Sequence, residues 1–163
     1  MPDVVVNGAR LRWHEEGEGE TIVFLHGALA VGMAFRGQRA ALRDLGRLVF
    51  VDQRGHGASA HGGDEVPWET LTYGQLVADA HAFLDAVSPG APVHLVGVSM
   101  GGMVAARVAA ERPARVASLA LLSTAARASE RRRRYFSEAR PEDSLIARFG
   151  AAWHGEPYWR DLS

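Results

Sequence analysis

The sequence predicts an α/β fold: a mostly parallel sheet flanked by helices. Three observations predict it. Four unbroken apolar runs, TIVFLHG (21–27), RLVFVD (47–52), PVHLVGV (92–98) and VASLALLS (116–123), have the composition of strands buried on both faces. Segments of helical periodicity separate them, the alternation that βαβ units produce. The third run also leads straight into a serine between glycines, where a helix starts at once.

In chain order, residues 3–6 and 11–16 read as two strands around Asn7-Gly8, a strong tight-hairpin signal. GEGE (17–20) is a turn, and the first buried strand closes on His26-Gly27. Residues 34–45 fit a short helix, 47–52 the second buried strand, and a loop rich in Gly and His runs from Gln53 to Pro67. Thr72 and Gln75 form a capping-box pair. Tyr73, Leu76, Val77, Ala80, Leu84 and Val87 then recur at helical spacing until Ser88-Pro89-Gly90 stops the helix. The third buried strand (92–98) feeds a helix from Met100 to Glu111, which Arg112-Pro113 ends before the fourth (116–123). Residues 125–139 read as a strongly basic helix, followed by scattered aromatics without a strand signal.

Composition narrows the function classes. The 163 residues include no cysteine, which excludes disulfides, thiolate metal sites and cysteine nucleophiles. A formal charge of −1 gives no general pull towards nucleic acid or an anionic membrane. No apolar stretch approaches the ~20 residues that span a bilayer, and MPDVVVNGARLRW lacks the pattern of a signal peptide. The expectation is a soluble, cytoplasmic protein with no nucleic-acid or membrane partner.

The chemistry centres on Gly97-Val98-Ser99-Met100-Gly101, a G-x-S-x-G match. The bare pattern is weak; its context carries it. A buried strand running into Ser99 and a helix leaving it make the strand-turn-helix in which a serine sits on a sharp bend with its hydroxyl pushed outward. Side chains at 97 and 101 would collide across such a bend, and Gly102 lets the helix lie close to the sheet. The helix N-terminus favours negative charge developing beside the serine. His26-Gly27-Ala28 closes the first buried strand, and its loop can offer a backbone N–H alongside that of Met100, two donors for an oxyanion. Asp52-Gln53-Arg54-Gly55-His56-Gly57 supplies an aspartate and a histidine that invite a triad assignment. The preferred reading is structural: their side chains lock the loop through local hydrogen bonds.

FLHGAL (24–29), VFVDQRGHGAS (49–59) and HLVGVSMGGMVAARVAAERPARVASLALLSTAA (94–126) resemble, in order and separation, the α/β-hydrolase superfamily. The look of GVSMGGMVA and RGHGAS is closest to its cap-bearing esterase, enol-lactonase and perhydrolase-like branch. The resemblance covers roughly residues 3–126, so 1–126 is read as the N-terminal part of the hydrolase core and 127–163 as the start of a helical cap region. It implies that Ser99 is the nucleophile, that Ala28 and Met100 supply the oxyanion-hole amides, and that the substrate is a small ester or lactone. No metal or organic cofactor is implied. Serine at 99 sets the chain apart from the haloalkane dehalogenases and epoxide hydrolases, which place an aspartate there.

The triad of that superfamily runs nucleophile, acid, histidine. After residues 116–123, where some relatives place the acid, this sequence reads Ser123-Thr124. The only later histidine, His154, lies among aromatics and is left unassigned. In serine hydrolases, loss of the histidine costs on the order of 10⁶ in turnover and leaves ~10³–10⁴ over water. The expectation is therefore the front part of a longer hydrolase, missing about one hundred residues and the last strands of its sheet. Its ASLALLS run would be an exposed apolar edge. Two alternatives stay open: a non-catalytic member that binds a ligand or protein, and one half of a split enzyme completed by a C-terminal chain. Arg131 to Arg134 read as a solvated helical face. Tyr135, Phe136, Phe149, Trp153 and Trp159 could line an apolar pocket or pack in the core.

Overall fold

A computed structural model of the chain describes residues 1–28, 30–60 and 71–125. The basic segment, His154 and the late aromatics lie outside the described residues, as does the 127–163 cap assignment.

Among the described residues six strands form one sheet: β1 (Asp3–Val6), β2 (Ala9–Glu16), β3 (Thr21–Leu25), β4 (Arg47–Asp52), β5 (Val93–Val98) and β6 (Val116–Leu122). Their spatial order is β1-β2-β4-β3-β5-β6. The hairpin β1–β2 adds to β4 antiparallel, and β4, β3, β5 and β6 run parallel. This is the mostly parallel sheet that the apolar runs predict. The α-helices among the described residues lie between these strands: α1 (Arg36–Leu42), α2 (Tyr73–Val87) and α3 (Met100–Glu111).

Local chemistry sets most of these boundaries. Asn7 and Gly8 both take positive φ, as the tight β1–β2 turn requires. The Thr72 side chain accepts from the Gln75 N–H while Gln75 reaches back to the Thr72 N–H, the full capping box. The helix expected over 34–45 is shorter. Residues Gly32–Phe35 form a 3-10 turn first, because Gly32 is pressed against β4, where a Cβ would lie 2.5 Å from the Phe50 carbonyl oxygen. β2 also begins at Ala9, two residues earlier than its apolar pattern suggests, since the Asn7-Gly8 turn lets Ala9 pair with Val6 at once.

The sheet has two unlike faces. On one, Trp13, Val23, Leu25, Val51 and Leu95 pack against Leu76, Phe83 and Leu84 of α2 and Val104 and Val108 of α3. Trp13 meets Phe83 edge-on, with ring centroids 5.3 Å apart. On the other, Phe24, Leu48 and Phe50 form a smaller cluster with Phe35, and Phe24 stacks on Phe50 at 4.6 Å. Each fully buried side chain of this size stabilises the fold by about 1.5–3 kcal/mol.

A buried ion pair sits against the large core. Asp79, on the buried stripe of α2, takes two hydrogen bonds from Arg54, at 2.6 and 2.8 Å, and one from Asn7 at 3.0 Å. Arg54 also donates to the Asn7 carbonyl. The pair ties the β1–β2 turn, the loop after β4 and α2 together.

β6 stands apart. Its sequence is as apolar as β5, yet among the described residues it pairs only with β5, and Leu119, Leu121 and Leu122 are 38%, 44% and 47% exposed. That is the uncovered apolar edge the ASLALLS run predicts. Among the described residues, no helix is long and apolar enough to cross a membrane.

Candidate active site

The C-terminal ends of β3, β4 and β5 bring three loops together, because β3 lies between its two parallel neighbours. Ser99 occupies the single-residue bend between β5 and α3, at φ 51° and ψ −114°. For a residue with a Cβ this is a sparsely populated conformation, costing about 1–3 kcal/mol, which the surroundings must impose.

The neighbouring glycines show how. A Cβ on Gly97 would lie 2.6 Å from the Gly101 carbonyl oxygen and from the Gly102 Cα, so the last turn of β5 and the first turn of α3 touch backbone to backbone. A Cβ on Gly101 would come within 2.1 Å of the Leu25 carbonyl oxygen, which seats α3 on the end of β3. Here the structure refines the sequence reading. Gly97 is required by the bend itself, Gly101 by contact with β3, and Gly102 by the Thr124 side chain, 2.7 Å from where its Cβ would be.

The loop after β3 abuts this bend. Gly27 faces Ser99, whose Cβ lies 3.5 Å from where a Gly27 Cβ would be. Ala28 follows it. Among the described residues neither the Ala28 nor the Met100 N–H donates to another group, and Met100 opens α3, where the first amides have no intrahelical acceptor. Near a serine at the positive end of a helix there are thus two N–H groups that have no acceptor among the described residues.

The side chains behind that loop are all engaged in holding it. His26 is buried and accepts the Gln53 N–H at Nε2, 3.0 Å away, which leaves its proton on Nδ1, 2.8 Å from the Gly27 carbonyl oxygen. Burial, then the adjacent His56, pulls its pKa from 6.5 down to about 3, so the ring is neutral. His56 lies between two carbonyl oxygens, those of Arg54 at 2.9 Å and Ala28 at 2.8 Å. Asp52 accepts from the Gly32 N–H at 2.7 Å and the Ala58 N–H at 2.8 Å. The Asp52–Gly57 loop is thus locked by local hydrogen bonds, as its sequence suggests.

None of the five described histidines bonds Ser99. His26 and His56 are committed as above, and His81 pairs with Glu111. His94 lies five residues before Ser99, about 16 Å along the strand, and His14 is three strands away, about 14 Å across the sheet. Two features escaped the sequence reading. Thr124 bonds the Ser99 carbonyl, with no pattern to announce it. The Arg54–Asp79 pair had a usable signal, a charged residue on the apolar stripe of α2.

Sheet order, bend and flanking amides define an α/β-hydrolase core. The family model described as "alpha/beta hydrolase fold" matches residues 20–153, and the chain belongs to that family. It is 32% identical over 120 residues to cis-3-alkyl-4-alkyloxetan-2-one decarboxylase of Shewanella oneidensis, covering 74% of this chain and 37% of that one. Human monoglyceride lipase is 33% identical over 123 residues, 68% of this chain and 37% of the lipase. The chain thus spans little more than a third of the length of these relatives. Among solved structures, the enol-lactonase from Burkholderia xenovorans LB400 superposes with a TM-score of 0.71 at 29% identity, covering 98% of this chain and 57% of the lactonase.

Proposed function

We propose that this chain carries the nucleophile and oxyanion hole of a serine hydrolase acting on carboxylic ester or lactone bonds. The strained bend at Ser99 carries the reading, since a serine is held at φ 51° between glycines only where its hydroxyl must project. The enol-lactonase and lipase among its relatives support the substrate class. In the first step the Ser99 Oγ attacks the acyl carbon, and the Ala28 and Met100 amides take the charge on the carbonyl oxygen. The Ser99 proton passes to a base and from it to the departing alkoxide. Water then adds to the acyl-serine, giving the acid and restoring Ser99.

The base and the acid that orients it lie outside the described residues. A polypeptide continuing the sheet beyond β6, joined to this chain or separate from it, is the expected source. Among the described residues β6 has a strand on one edge only, which favours such completion over a purely ligand-binding role.

A fluorophosphonate probe tests this. The 163-residue chain should label slowly and only at Ser99, and addition of a chain supplying the later strands and a histidine should accelerate labelling by orders of magnitude. Rapid labelling of the chain alone would show that its base is already present. No labelling under either condition would favour the non-catalytic reading.

A further inference from the structure

Thr124 follows Ser123, itself at φ 47°, and turns its hydroxyl back to donate to the Ser99 carbonyl oxygen at 2.7 Å. The same oxygen accepts the Met103 N–H at 3.1 Å, while the Ser99 N–H donates to the Leu122 carbonyl oxygen at 3.0 Å. Both backbone polar groups of the bend are therefore held, and two of the three bonds come from the end of β6. Gly102 leaves the room: a Cβ there would lie 2.7 Å from both Thr124 Cβ and Cγ2.

The peptide unit joining Ser99 to Met100 is planar, with its C=O and N–H pointing in opposite directions. Whatever fixes the Ser99 carbonyl also fixes the direction of the Met100 N–H. We propose that Thr124 is a positioning residue whose hydroxyl, by holding the Ser99 carbonyl, aims the Met100 amide at the oxyanion. This rests on the reading of Ser99 as nucleophile and of Met100 as oxyanion donor. The Met103 N–H is the first rung of α3 and orients the carbonyl along the helix axis. The Thr124 hydroxyl reaches it from the sheet and removes the remaining freedom of rotation about ψ of Ser99.

The test needs a nucleophile that ionises without a neighbouring base, and the absence of native cysteine lets a single introduced thiol supply it. In the full chain carrying Ser99→Cys, the only thiol sits at the bend. Iodoacetamide alkylates it without forming an oxyanion. With p-nitrophenyl acetate the thiolate adds to the carbonyl carbon, the C–S bond forms, p-nitrophenolate leaves and the thiol proton goes to buffer. Adding Thr124→Val should lower the acetylation rate about ten-fold while leaving alkylation within about two-fold, since only acetylation uses the amide donor. Thr124→Ser, which keeps the hydroxyl, should restore acetylation, and circular dichroism checks that each variant is folded.

Equal acetylation rates in folded Thr124→Val and its parent would overturn the proposal, as would a parallel loss with both reagents. If Thr124→Val does not fold, failure of Thr124→Ser to retain acetylation overturns it instead. Should the parent acetylate no faster, relative to its alkylation, than free cysteine, the oxyanion reading itself fails. Amide exchange at Met103 then decides the clamp alone: faster exchange in Thr124→Val supports it, and unchanged exchange overturns it.

Discussion

Two serines stand on the same pair of parallel strands. Ser99 ends β5 on a strained bend, near two amides that have no acceptor among the described residues, and no described imidazole bonds it. Ser118, near the start of β6, has what Ser99 lacks among the described residues: its Oγ lies 2.7 Å from His94 Nδ1, and His94 Nε2 lies 3.3 Å from a Glu20 carboxylate oxygen. By inventory the second set is a serine, a histidine and an acid in line. By geometry it is a surface feature. Ser118 sits in extended strand paired with His94, and Glu20 is 84% exposed to competing water. A triad is recognised by geometry and roles, and what singles out Ser99 as the proposed nucleophile is its strained backbone beside amides that have no acceptor among the described residues.

That contrast can be broken most directly by labelling. Ser99→Ala should abolish fluorophosphonate labelling, and Ser118→Ala should leave its rate within about two-fold, read by mass spectrometry of the modified peptide. Labelling at Ser118 would invert the comparison.

Next in size comes the buried ion pair that ties the loop after β4 to α2. Asp79→Ala strands the Arg54 guanidinium in the core and should destabilise by about 3–5 kcal/mol in urea melts. Acid should act through His26. Its pKa is about 3 when folded against an ordinary 6.5, so between these values the unfolded chain binds a proton that the buried ring refuses. The stability it provides is complete above about pH 6.5 and declines as pH falls towards 3, by at most about 1.4 kcal/mol per pH unit. Urea midpoints from pH 7 to pH 4 should show a steeper decline in the native chain than in His26→Asn. The smallest effect belongs to the false triad: Glu20→Gln should shift stability by less than about 0.5 kcal/mol, as befits an exposed pair.

Sequence and structure agree where chemistry is local. The capping box, the Asn7-Gly8 turn and the β5-Ser99-α3 bend each depend on residues a few positions apart, so their signals survive in the linear text. Four strands, three of them buried, were equally legible, since their apolar runs owe nothing to order. Strand order was not. Nothing in RLVFVD says that it lies between β2 and β3, because pairing depends on crossovers that leave no local mark. The partners of Asp79 and of the Ser99 carbonyl were hidden for the same reason: Arg54 and Thr124 are 25 residues away in each case. The separate duties of Gly97, Gly101 and Gly102 emerged only once β3 and Thr124 were in place.

The Leu122 carbonyl holds the Ser99 amide, yet Leu122 belongs to the least covered strand of the sheet. Edge strands open at lower free energy than the core they border. The lifetime of the Ser99 bend is therefore set by fraying at a margin, while Phe24, Phe50 and Phe83 stay packed. On warming, probe reactivity at Ser99 should fade several degrees below the melting seen by circular dichroism, so that inactivation precedes unfolding.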